Sequence, residues 1–388
     1  MKLFPIYKAF VAIVLLMLFA CSREELPTIT IKHKGPIGWD EKETCLINYQ
    51  TDDAEETILA KIKCRGGSSS KFWKHSYSLE LHEDFQFMSL PVDDDWILNA
   101  NYIDKTFMRH KISYDLFREM NENNVASKCS YVNLMLNEKY MGLYVLMQEI
   151  NGGMLMVNKK DDLAMIFKDP PIFYESKLTY VKDSTNYYAQ KFPKKLKRDQ
   201  TDYLLHFKDF LFESSDQEFI KHIDDFVDVN NIMDWHILLL FSNNSDGIMK
   251  NFYLYKRDTS TPFRIAIWDY DHSFGRDGDN ELNMMKQELD CNRSILLKRL
   301  VGIEETKYAS KIKARWKELR EKDVISVKNF NAHINRNDKV IKEVVNRNFQ
   351  RWPLDDKWYN DNNTYDQEIQ VMKDFAVLRI NQLDDYFR

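Results

Sequence analysis

Two polar stretches bracket a pair of short apolar segments, and that arrangement restricts the fold more than any other feature of the chain. Ser242–Asn251 (SNNSDGIMKN) leads into the apolar segment Asn251–Tyr255, a second one follows at Phe263–Trp268, and the chain continues as Asp269, Tyr270, Asp271, His272, Ser273, Phe274 and Gly275. Neighbouring strands joined by a short loop run antiparallel, so the residue leaving the second lies beside the residue entering the first. Asp269 is therefore expected at the same end of a sheet as Asn251 and Asp246, which are five residues apart.

The rest of the chain supplies both strands and helices. Residues 28–34, 44–49 and 57–63 alternate apolar with polar, Ser76–Leu81 does the same, and Tyr131–Leu136 with Gly142–Met147 flank a turn at Asn137–Tyr140. These are the signatures of half-buried strands. Residues 104–120 carry apolar side chains at helical spacing with Asp104 as N-cap. Helical periodicity also covers Asp199–Phe241 and most of the chain after Ile295, up to a loop rich in Asp and Asn near 355–364. Only 11 glycines occur, and Gly66, Gly67, Gly142, Gly152, Gly153, Gly247 and Gly275 lie in or beside these segments. Gly66 and Gly67 belong to a small-residue loop, Arg65–Ser70, between two strands.

The amino terminus differs in kind. Lys2 and Lys8 precede Ala9–Ala20, an almost wholly apolar run of 12 residues, shorter than the roughly 20 that a spanning helix needs. It reads as a secretory signal, with an uncleaved anchor as the other reading. Leu18-Phe19-Ala20-Cys21 resembles the bacterial lipobox, so Cys21 is the expected lipidation site. The expected organisation is a signal peptide over 1–20, a lipid tether with amino-terminal strands over 21–60, and a domain over 61–388 in lobes of about 61–150 and 151–388. The expected location is the cell envelope, lipid-anchored on the periplasmic or surface face of the outer membrane.

A formal net charge of -5 and pI near 6.0 give no general attraction to nucleic acid. Cys45, Cys64, Cys129 and Cys291 form no CxxC pair, which argues against zinc and leaves disulfide pairing open. No HExxH pattern supports metalloprotease chemistry. From Asp269 the spacing fails an EF-hand, with Phe274 at the sixth position and Asn280 at the twelfth. Asp246, Asn251 and Asp269 suit phosphoryl transfer instead, which needs a carboxylate to accept a hydroxyl proton and oxygen ligands for a cation on the phosphates.

Arg65–Ser69 (RGGSS), Trp73–Tyr77 (WKHSY), Asp95–Lys105 (DWILNANYIDK), Met108–Arg109, Asn251–Lys256 (NFYLYK) and Trp268–Gly275 (WDYDHSFG) resemble, in order and kind, the motifs of the CotH (spore coat protein H-like) kinases. The resemblance implies an α+β, atypical protein-kinase-like fold of two lobes, β-rich at the amino end and mainly helical at the carboxy end. It implies an ATP-dependent Ser/Thr kinase with Mg2+, Mn2+ or Ca2+, acting on an exported protein. Asp246 is then the catalytic aspartate, and Asp269, Asn251 and Asp271 the metal ligands. Arg65, Gly66, Gly67, Ser68, Ser69, Lys74 and Glu149 are the nucleotide-binding set. The chain departs from the family at His75, where a basic neighbour of Lys74 is usual, and at Glu80, where a lysine often stands; both point to the alternative of a catalytically inactive surface lipoprotein that binds nucleotide, protein or glycan.

Overall fold

The computed structural model describes residues 25–174, 188–276, 288–353 and 362–388; the expected signal segment and Cys21 lie outside them, as does most of the Asp- and Asn-rich loop. Seven strands close into a barrel: β1 (Thr28–Lys32), β2 (Glu43–Gln50), β3 (Glu55–Arg65), β4 (Ser76–Phe85), β5 (Asp93–Asn99), β6 (Cys129–Leu136) and β7 (Lys139–Gln148), in the order β1-β2-β3-β4-β5-β7-β6. Strand directions cannot alternate all the way round a ring with an odd number of members. The one parallel contact is β1 on β6, with Thr28 opposite Asn133. This corrects the expected kinase-type amino-terminal lobe, because β1 pairs with both β2 and β6 and leaves the sheet no free edge. β1 and β2, ahead of residue 61, are staves of the same barrel.

Period-two alternation sends Ile29, Ile31, Ile47, Ile62, Leu79, Trp96, Leu98, Leu134 and Leu146 into the barrel, where they are fully buried. β5, β6 and β7 are apolar on the other face too. Ile97, Tyr131, Leu143, Val145 and Met147 pack outward with the helices, which is why Leu143–Met147 is an unbroken apolar run. The β6–β7 hairpin turns at Asn137 and Glu138, with φ of 45° and 69°, the left-handed pair that matches strand twist.

Helix α1 (Arg109–Met120) begins five residues after Asp104. Phe107, at φ 60°, prevents the helix from extending back. Asp104 is thus not the N-cap residue, although its Oδ2 accepts the Arg109 N–H at 3.0 Å and so serves the helix start from outside. The long helical stretch divides into α2 (Thr201–Glu213), α3 (Asp216–Phe226) and α4 (Val229–Ser242), and the carboxy-terminal part into α5 (Ile295–Gly302), α6 (Tyr308–Glu321), α7 (Val327–Arg351) and α8 (Tyr365–Tyr386). α4 is buried from Asn231 to Ser242. It ends on Asn243 at φ 55°, and Arg379 of α8 places its guanidinium there, bonding the Leu240 carbonyl and Asn243 Oδ1.

A second sheet, in the order β11-β10-β8-β9, contains β8 (Met165–Lys168), β9 (Gln190–Phe192), β10 (Phe252–Lys256) and β11 (Arg264–Ile267). β10 is antiparallel to both β8 and β11. Its first residues therefore lie beside the last residues of the other two, gathering Lys168, Asp169, Asn251, Trp268 and Asp269 at one end of the sheet.

Candidate functional site

That sheet end is built from residues held in unusual backbone conformations. Asn251, Asp269, Phe274 and Asp169 have φ of 65°, 57°, 51° and 49°, a region that side chains other than glycine occupy at a cost and that clusters at functional sites. Hydrogen bonds impose it. The Asp169 carboxylate accepts the Phe252 N–H at 3.1 Å, and the Trp268 N–H reaches the Asn251 carbonyl at 2.9 Å. Asp269 is tied at three points: its N–H donates to the Tyr114 hydroxyl at 3.0 Å, its carbonyl accepts the Asn251 amide at 2.9 Å, and Oδ1 lies 3.1 Å from His110 Nε2.

Behind His110 a relay of polar groups runs into the barrel. Asn101 Nδ2 lies 3.4 Å from His110 Nδ1, Asn101 Oδ1 accepts from Asn99 at 2.7 Å, and Asn99 Oδ1 accepts the Ser76 hydroxyl at 3.0 Å. A neutral imidazole that accepts from Asn101 at Nδ1 carries its proton on Nε2, and a protonated one also presents the Nε2–H to Asp269. About half of the Asp269 side chain, 52%, is open to solvent. Burial would raise its pKa, but the hydrogen bond from His110 and the charges of His110, His272 and Lys168 outweigh it and hold the group at about 2. Burial and the charge of Asp269 push Asp271 up. Burial lowers His110, but its bond to Asp269 and the charges of Asp271, Asp269 and Asp104 raise it on balance.

Ligand atoms of His110, Asp269 and Asp271 lie within 4.8 Å of one another. The two carboxylates, with the Asn251 amide bonded to the Asp269 carbonyl, make a hard, oxygen-rich set that fits magnesium, manganese or calcium. With its Nε2–H on Oδ1, His110 orients Asp269 and leaves Oδ2 for a cation.

Asp246 opens the loop that ends at Asn251, and its carboxylate pairs with Lys250 at 2.8 Å. Arg65, the last residue of β3, lies over the Trp268 ring at 5.4 Å. Gly66 follows at φ 128°, where a Cβ would collide with the Ser69 hydroxyl, so the turn into the short helix Ser68–Lys71 requires glycine. Glu149 accepts the Ser78 hydroxyl at 3.2 Å. Burial first, and then the charge of Glu149, push the Tyr253 phenol up.

Lys74 stands elsewhere. It is 2% exposed, its ammonium bonds the Ala100 and Leu143 carbonyls, and it lies over the Tyr144 and Phe107 rings. Burial drives its pKa well down. The residue expected to face the phosphates is thus enclosed in the protein, its ammonium held by two backbone carbonyls. Glu80 pairs with Lys42 at 3.0 Å and Lys61 at 3.3 Å, and Lys42 also lies 3.6 Å from Asp95; His75 packs edge-on against Trp39 at 5.1 Å.

Sequence reasoning missed His110, Asn101, Asp169 and Lys168. His110 directly follows the Met108–Arg109 motif and Asn101 sits inside DWILNANYIDK, so both were within reach. Lys168 and Asp169 end a four-residue apolar segment that carries no pattern of its own.

The model of the CotH kinase protein family matches residues 62–383. The inner spore coat protein H of Bacillus subtilis (strain 168) is 26% identical over 220 residues, which is 56% of this chain; the chain spans 59% of the length of that relative. A crystal structure of the Helicobacter pylori proinflammatory kinase CtkA aligns over 76% of this chain and 95% of that one at 10% identity, with a TM-score of 0.31.

Proposed function

Because the chain belongs to the CotH kinase family, we propose that it transfers the γ-phosphoryl group of ATP to a Ser or Thr hydroxyl of an exported protein. Family membership implies ATP and a divalent metal in general. Asp246 accepts the proton as the hydroxyl oxygen attacks the γ-phosphorus; the bond from that phosphorus to the bridging oxygen breaks, and ADP leaves. Asp269, Asn251 and Asp271 would hold the cation, which when bound neutralises phosphate charge. His110 orients Asp269, while Arg65, the Gly66–Ser69 turn and Glu149 face the nucleotide. Cys21 tethers the protein to the envelope through its lipid, on the periplasmic or surface face of the outer membrane.

The observation that supports this most is the 2.9 Å bond from the Asn251 side chain to the Asp269 carbonyl, which joins the Asp246 loop to the aspartate across the β10–β11 hairpin. Incubation of the full-length chain with radiolabelled ATP and magnesium tests it. Label on the chain or on an exported protein is expected. ATP binding without transfer to any exported protein offered would favour the alternative of an inactive nucleotide-binding lipoprotein.

A further inference from the structure

Two half-buried cations stand beside the carboxylate cluster, neither of them held in an ion pair among the described residues. Arg65 ends β3 with its guanidinium carbon 5.4 Å from the centre of the Trp268 ring; Lys168 ends β8 with Nζ 5.7 Å from the same ring and 5.8 Å from that of Tyr253. Among the described residues neither makes an ion pair or a side-chain hydrogen bond. The cross-strand pairing of Lys168 with Tyr253 fixes the lysine at the sheet end that carries Asn251 and Asp269. Burial is the main force lowering the Lys168 ammonium and the charge of Arg65 adds to it, while Asp169 and Asp269 oppose them. Gathering two partly desolvated like charges around one indole is unfavourable unless something negative joins them. The ring faces hold both cations without taking up their N–H donors.

We propose that Lys168, acting with Arg65, binds the phosphate chain of the nucleoside triphosphate, the role that the sequence assigned to Lys74. The inference rests on the kinase reading. An anion between these cations and the Asp269–Asp271 pair is compensated on one side by lysine and arginine and on the other through the bound cation. Lys74 cannot serve, because its ammonium already bonds two carbonyls in a closed pocket.

Calorimetric titration of the full-length chain with Mg-ATP, magnesium tripolyphosphate and adenosine tests the assignment. Lys168→Met keeps the stem and removes the charge. It is expected to weaken Mg-ATP and tripolyphosphate by about 10- to 100-fold, the equivalent of one charge-assisted hydrogen bond, and to leave adenosine unchanged. Lys168→Arg is expected to stay within a few-fold of wild type on Mg-ATP, and Arg65→Met to show the same phosphate-selective loss. Wild-type affinity for Mg-ATP in Lys168→Met, or equal losses for adenosine and ATP, would overturn the role of Lys168 and leave the kinase reading intact. A wild-type chain that bound neither Mg-ATP nor tripolyphosphate would overturn both.

Discussion

At the scale of single residues, Asp269 and Asp246 differ in how firmly they are held. Asp269 has its N–H, carbonyl and carboxylate all engaged, whereas the carboxylate of Asp246 meets Lys250 at the surface. A metal ligand needs the first kind of setting and a proton acceptor for an incoming hydroxyl the second. Asp269→Ala is therefore expected to abolish magnesium-dependent ATP binding while the fold persists; unchanged Mg-ATP affinity by calorimetry would remove Asp269 from the metal site. Asp246→Asn is expected to bind Mg-ATP like wild type and to transfer phosphate about 100- to 10,000-fold more slowly, the usual range for loss of a general base. Paired titration and turnover separate the two roles, and wild-type turnover in Asp246→Asn would place the chemistry elsewhere.

At the scale of elements, the carboxy end of α7 is locked onto β7. Asn348 Oδ1 accepts the Leu143 N–H at 3.1 Å, and the Trp352 indole donates to the Met141 carbonyl at 2.6 Å. Gly142 lies between them at φ 109°, with Asn348 Oδ1 in the space a Cβ would take and Trp352 Nε1 3.2 Å from it. Backbone strain and collision act in the same direction, so Gly142→Ala is expected to destabilise the protein by about 2–4 kcal/mol. Urea denaturation checks this, and a change below about 0.5 kcal/mol, the ordinary surface range, would mean that α7 shifts freely against the barrel.

At the scale of the whole molecule, a fully buried ion cluster joins segments far apart in the chain. Arg109 bonds Asp104 at 2.6 Å, Glu368 of α8 at 3.0 Å and the Ser273 carbonyl at 2.9 Å. The barrel side, α1, the Asp269 loop and α8 thus meet on one guanidinium. Removing one partner of such a pair leaves a buried charge uncompensated, and Asp104→Asn is expected to cost about 3–5 kcal/mol at neutral pH. Burial pushes the Asp104 carboxyl up, but the charge of Arg109 and hydrogen bonds from Thr106 and Arg109 hold it below its ordinary value. The unfolded chain therefore binds the proton more readily. The stabilisation is complete above the unfolded pKa of about 3.9 and disappears as pH falls through the lower folded value. The stability gap between wild type and Asp104→Asn is expected to narrow in acid; a constant gap from neutral pH down to pH of about 2 would show that ionisation of Asp104 is not what the cluster depends on. The proposed tether is tested at the same scale: Cys21→Ser is expected to release the protein from the membrane fraction, and palmitate labelling that persisted in the variant would exclude Cys21 as the acceptor.

Local chemistry made much of this protein legible in its amino acids. Period-two alternation marks β1, β2 and β3, helical spacing marks α1, and the hairpin between Asn251 and Asp269 brings two candidate ligands together, because each depends only on residues close in the chain. Closure of the barrel was not legible. It rests on β1 meeting β6 about a hundred residues away, and on β5, whose opening acids Asp93, Asp94 and Asp95 hide a strand buried from Trp96 to Leu98. Lys74 and Lys168 mark the same limit at the site. Both are lysines beside aromatic rings, and the amino acids alone cannot say which one is enclosed. Desolvation decides it, and desolvation is set by what folds opposite: carbonyls of Ala100 and Leu143 around Lys74, and the open end of a sheet carrying Trp268 and Asp269 beside Lys168.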